Sequence, residues 1–63
     1  MRLMTQIVHI AVAGDRFPFI LDFDTRTWSA GEDFDEADFP LVAKVGDMRY
    51  ELYSNKTFAE EEL

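Results

Sequence analysis

The chain has 63 residues, thirteen of them acidic against six Lys and Arg, for a net charge of −7. A domain this small hides only about 60% of the surface its unfolded chain exposes. With no cysteine and no Cys/His set, disulfides and a structural zinc are excluded as support, which leaves dense packing or oligomerisation. Hydrophobic residues at 48%, nine of them aromatic, argue against intrinsic disorder and for one compact domain over residues 1–63.

Arg2 and the apolar run behind it have the outline of a leader, but Gln6 and His9 interrupt the run, and the alternation suits a strand. No stretch approaches the roughly 20 apolar residues of a membrane span. Residues 3–13 therefore predict a β-strand ending at Gly14-Asp15, read as the two central residues of a type II′ hairpin turn. The returning arm, Arg16 to Phe23, sets Phe17, Phe19, Leu21 and Phe23 on one face, and Pro18, which donates nothing to a ladder, predicts an edge position or at least no partner on the side its nitrogen faces. Asp24 to Thr27 reads as a turn. Trp28 opens either a short strand or a core-anchoring loop.

Asp33-Phe34-Asp35-Glu36 has the spacing of a capping box, predicting a short helix that ends before Pro40. A second hairpin follows, Leu41 to Val45 and Met48 to Tyr53 around Gly46-Asp47, with Met48, Tyr50 and Leu52 sharing a face. Superposing the two Gly-Asp pairs aligns Ile10-Ala11 with Val42-Ala43 and Ile20 with Leu52 as a faint repeat. Thr57-Phe58-Ala59-Glu60 is another capping box, predicting a short helix from Phe58 to Leu63. The expected fold class is thus α+β: a small four-stranded, mainly antiparallel sheet from two β-hairpins with one or two short helices. Its core candidates are Phe17, Phe19, Leu21, Phe23, Trp28, Tyr50 and Leu52.

Chemistry-bearing motifs are few. His9 shares its strand face with Ile7 and Ala11, and neither Ser29 nor Ser54 stands in a nucleophile motif, so no catalytic residue and no enzyme activity is expected. Asp22 and Asp24 flank a strand end, but Arg26 stands where the next ligand of a calcium series belongs; we expect no metal and no cofactor. The three glycines form no phosphate cradle.

Charge placement is more informative. Residues 22–38 hold seven acids, Asp22, Asp24, Glu32, Asp33, Asp35, Glu36 and Asp38, against Arg26 alone, and Glu60, Glu61 and Glu62 close the chain. The remaining segments are nearly neutral. A need for solubility alone scatters acids over every exposed face, so this clustering predicts either a negative patch with a partner or a solvated loop and tail. Phe34 and Phe39 either anchor the acidic run to the core or stand as apolar contacts in a charged interface. The sign of the charge argues against direct DNA or RNA binding. It suits a basic surface instead, where clustered carboxylates occupy several phosphate-binding Lys and Arg sites at once.

On its size, its lack of cysteine and the acid-rich runs Glu32–Asp38 and Glu60–Glu62, the chain resembles the small acidic inhibitors that phages and mobile elements use against bacterial defences, anti-CRISPR and anti-restriction DNA mimics among them. The resemblance implies a non-catalytic inhibitor, monomer or homodimer, in the cytoplasm of a bacterial host cell. Its partner would be a basic nucleic-acid-binding protein or a CRISPR or restriction effector complex, met through the ten acids named above. The net charge is modest for such a mimic, and Arg26, Lys44 and Arg49 offer contacts of another kind. The alternative is a small interaction or assembly module that pairs through a sheet edge or an apolar face.

Overall fold

A computed structural model describes residues 4–63, so Arg2 and Leu3 lie outside it. Six strands run in chain order: β1 (Thr5–Val12), β2 (Asp15–Asp22), β3 (Thr27–Ala30), β4 (Leu41–Val45), β5 (Met48–Leu52) and β6 (Phe58–Glu62). They form two three-stranded antiparallel sheets, ordered β1-β2-β3 and β4-β5-β6. The fold is therefore nearly all β, and the expected α+β architecture of one four-stranded sheet with helices is overturned. Each hairpin recruits the segment just after it as a third strand, the connection with the least chain to close. The apolar faces that helices were expected to cover instead cover each other.

Both predicted helices are absent. The first capping box yields only a single 3₁₀ turn over Glu36–Asp38, with no side-chain cap bond from Asp35. The second yields β6. Six residues carrying three consecutive glutamates make a poor isolated helix. As a strand, the same residues bury Phe58 and pair along β5 from Leu52↔Phe58 to Met48↔Glu62.

Two local expectations also shift. The first hairpin turns at Ala13-Gly14, between the paired residues Val12 and Asp15, with φ of 52° and 90°. That is a type I′ turn, whose twist matches the flanking strands; the second hairpin turns at Gly46-Asp47 as expected, with Gly46 at φ 59°. Turn for turn, Val8 and Ile10 thus correspond to Leu41 and Ala43, and Phe19 to Leu52, all buried. The superposition on Gly-Asp pairs had set buried Ile10 on exposed Val42. β2 is central rather than an edge, and Pro18 meets the other expectation, with no partner on the side its nitrogen faces. Pro18 is tolerated there because it forms a non-hydrogen-bonded pair with His9 and turns its nitrogen towards β3, which ends at Ala30 opposite Phe19.

One core fills the space between the sheets. Val8, Ile10 and Val12 enter it from β1, Phe19 and Leu21 from β2, Trp28 from β3, Leu41 and Ala43 from β4, Tyr50 and Leu52 from β5, and Phe58 from β6. The expected core members Phe17 and Phe23 are half-buried at its margin. Phe23 reaches across to Tyr50 and Phe58 with ring centroids 5.8 and 5.6 Å away. Edge-to-face pairs of this kind each add about 0.5–1.5 kcal/mol beyond area burial. At one seam the sheets also share main-chain bonds: the Trp28 N–H donates to Lys56 O at 2.8 Å and the Phe58 N–H to Arg26 O at 3.2 Å. β1 also lies against β4.

Ala13 holds a left-handed conformation that costs an L-residue about 1–2 kcal/mol and that asparagine adopts more readily. Ala13→Asn is therefore expected to stabilise the protein by about 0.5–1 kcal/mol. In a domain of this size the gain reads as a rise of roughly 2–8 °C in thermal midpoint.

Candidate functional site

The ten acids expected to meet a partner fall into three groups with different roles. Asp22 ends β2, and its Oδ1 accepts the N–H groups of Asp24 and Thr25 at 2.9 and 3.2 Å, while its carbonyl accepts from Arg26 at 2.9 Å. It shapes the turn that carries Arg26 at φ 60°. Asp24 stands exposed on the same turn.

The tail acids do not act together. Along β6, alternation sets Glu60 and Glu62 on the side of Phe58 and Glu61 on the opposite side. Glu60 is half-buried and accepts from Arg26 Nη1 at 2.9 Å, which ties β6 to the β2–β3 turn. Glu61 lies opposite Arg49 on the outer face of the second sheet. That face mixes Lys44, Arg49, Glu51 and Glu61 and is not an acidic surface.

The third group holds together. Glu32, Asp33, Asp35, Glu36 and Asp38 are all exposed on the loop from β3 to β4, and neither of the two ion pairs among the described residues involves them. Phe34 packs on Phe17 and Phe19 with centroids 5.2 and 5.0 Å away, and Phe39 stacks on Trp28 at 5.4 Å with the planes 19° apart. Of the two readings left open for these rings, the structure takes the anchoring one. The two half-buried rings stand among the carboxylates and dock on the core, which leaves the carboxylates facing out. They are held outward on a pinned frame.

At the foot of this loop is an open cavity of about 290 Å³, lined by Trp28, Phe34, Phe39, Asp33, Glu36 and Lys56 among others. The sequence reading missed Lys56. Its ammonium lies 4.2 Å from the centroid of the Trp28 ring; no spacing rule marks a contact between residues so far apart in the chain.

Away from the loop, the outer face of the first sheet is mixed, with polar Thr5, Arg16, Asp22 and Ser29 around a small apolar centre. Ile7 and Ile20 are cross-strand partners, 60% and 43% exposed, beside Ala11, His9 and Pro18. Among the described residues, no group of three or more His, Cys, Asp or Glu is placed to hold a metal ion, and no helix is long and apolar enough to cross a membrane. Comparison with known protein families, curated proteins and solved structures finds no match to this chain.

On β5, Arg49 Nη1 donates to Glu51 at 2.8 Å. This bond, then one with the Tyr53 hydroxyl, holds the Glu51 carboxyl below its ordinary value of 4.5. Partial burial and then the Glu51 carboxylate push the Tyr53 phenol above its ordinary 10.0. A lowered folded-state pKa contributes stability that is present above the unfolded value and lost as pH falls through the folded one. Melts of wild type and Glu51→Gln from pH 7 down to pH 2.5 should therefore differ at neutral pH and converge under acid. For Tyr53 the sign is opposite, and its contribution fades above about pH 10.

Asp22→Ala should cost about 1 kcal/mol, because it removes a charged acceptor from two backbone donors. Asp33→Asn and Asp35→Asn should stay within about 0.5 kcal/mol. Urea titrations followed by Trp28 fluorescence separate the turn-forming acid from the exposed ones.

Proposed function

We propose that this protein is a non-catalytic inhibitor whose acidic β3–β4 loop occupies the basic nucleic-acid-binding surface of a bacterial defence complex, a CRISPR or restriction effector, in the host cytoplasm. One observation carries the reading. Glu32, Asp33, Asp35, Glu36 and Asp38 are held outward, without an ion pair among the described residues, on a loop pinned by Phe34 and Phe39. Clustered like charges repel, and a cationic surface relieves that repulsion. Pinning the loop in advance lowers the ordering cost of binding. Asp24, Glu61 and Glu62 contribute only to the surrounding field. Asp22 and Glu60 already serve the fold, so they stand outside the contact set.

A second reading rests on a different surface. The exposed Ile7–Ile20 pair on the first sheet favours an assembly module that joins another chain through this apolar centre. The two readings respond differently to salt. Contacts through exposed carboxylates are screened within about 8 Å at physiological ionic strength, whereas apolar contacts persist.

The test is capture from a bacterial lysate rich in defence nucleases at 50 and 200 mM salt. Baits are wild type, Asp33→Asn/Asp35→Asn/Glu36→Gln/Asp38→Asn, and Ile7→Ser/Ile20→Ser. The inhibitor reading expects a nucleic-acid-binding complex on wild type and on the isoleucine variant, competed off by DNA. Affinity should fall about tenfold or more across the salt step, and the acid variant should retain nothing. Retention by the acid variant at 200 mM salt, with loss on the isoleucine variant, would instead establish the assembly module.

A further inference from the structure

We propose that the cavity beneath the β3–β4 loop is a guanidinium-binding site that takes an arginine side chain of the partner; the attribution to a partner rests on the reading above, while the site itself rests on its own geometry. The cavity measures about 290 Å³, more room than one planar guanidinium fills. Its walls pair aromatic surface from Trp28, Phe34 and Phe39 with the carboxylates of Asp33 and Glu36. Aromatic faces carry negative quadrupole density and attract cations, and carboxylates accept the guanidinium fork. Two carboxylates against one ammonium leave the lining net negative, which disfavours phosphate or a carboxylate ligand. Arginine fits better than lysine, because its planar head stacks on rings while donating in its own plane.

Lys56 indicates where the cation would sit. Its ammonium already lies over the Trp28 ring at 4.2 Å, yet it forms neither of the ion pairs found among the described residues. The residue is exposed, on a turn that gives it φ 74°. Such a lysine changes rotamer within nanoseconds. Lys56 is therefore an internal placeholder: it occupies the ring without engaging the carboxylates, and an incoming arginine takes both. Displacement of Lys56 would let the partner's side chain reach Trp28, which is otherwise buried.

The chain has one tryptophan, so its indole N–H gives a single assignable NMR signal, held in place by a hydrogen bond to Tyr53 O at 2.8 Å. Titration with N-acetyl-arginine amide should shift this signal saturably in the millimolar range. N-acetyl-glutamine amide should leave it in place, and tetramethylammonium should bind at least about threefold more weakly, since it stacks but cannot donate. Asp33→Asn/Glu36→Gln should weaken arginine binding about tenfold. Lys56→Met, which removes a competing like charge at contact distance, should strengthen it about three- to fivefold.

A non-saturable shift, equal shifts with the glutamine probe, or an unchanged affinity in the carboxylate variant overturns the site. Equal or tighter binding of tetramethylammonium overturns the guanidinium assignment. Weaker binding by Lys56→Met overturns the placeholder role. The capture experiment fails independently: a partner retained by wild type whose cavity ignores the arginine probe removes this site and keeps the inhibitor reading, and the converse keeps the site and removes the inhibitor.

Discussion

Trp28 donates twice to the connection between β5 and β6, through its main-chain N–H to Lys56 O and through its indole N–H to Tyr53 O, both at 2.8 Å. Those two bonds fix the start of β3 against the turn that leads into β6. The ring between them packs edge-on against Phe19 at 5.5 Å and face-on against Phe39 at 5.4 Å. A single side chain thus connects the sheets to one another and the acidic loop to both. Without it, β3 would keep its pairing with β2 but lose the indole bond to Tyr53 O, and the loop would lose its lower anchor. The chain has no disulfide to do that work, so a buried, doubly bonded aromatic at the junction is the constraint from which the remaining geometry follows.

What the sequence discloses depends on how local the determining contacts are. The β4–β5 hairpin was readable from Gly46-Asp47 and the Met48, Tyr50, Leu52 alternation, because turn chemistry and side-chain period act within a few residues. Phe19, Leu21, Trp28, Tyr50 and Leu52 were readable as core for the same reason. β6 was not. Thr57 to Glu60 satisfies the local pattern of a helix start, and only the edge of β5 and the pocket for Phe58, both formed by other parts of the chain, decide otherwise. Pro18 was readable in part: its missing donor marks one side of β2 as unpaired there, but not whether that side is a sheet edge or, as here, faces a β3 that ends one residue short. Val8, Ile10 and Val12 were not readable as core, because both faces of β1 carry aliphatic residues and only its register against β2 decides which face is buried.

The acids were legible as a population and illegible as individuals. Composition separates a nearly neutral framework from an acidic segment and tail, and the structure keeps that separation for Glu32 to Asp38. It breaks it for Asp22, whose carboxylate holds a turn, and for Glu60, which faces Arg26 from a strand rather than a helix. Arg26 is 34 residues from Glu60 in the chain, beyond any spacing rule. Similar carboxylates therefore divide between fold and surface according to what the backbone brings near them.

That division sets how the molecule can vary. The framework carries its stability in apolar and main-chain contacts, with no buried charged or polar residue among those described. The loop carries its carboxylates on the outside and its two phenylalanines on the inside. Substitutions among the five loop acids change the field around the loop while leaving the core contacts in place, whereas a change at Phe34 or Phe39 alters the field and the frame together. The cavity stands where these two layers meet, with Trp28 and the phenylalanines from the frame and Asp33 and Glu36 from the surface. Its shape is therefore set by the same packing that holds the sheets together, and its negative charge by exposed carboxylates that form none of the ion pairs among the described residues.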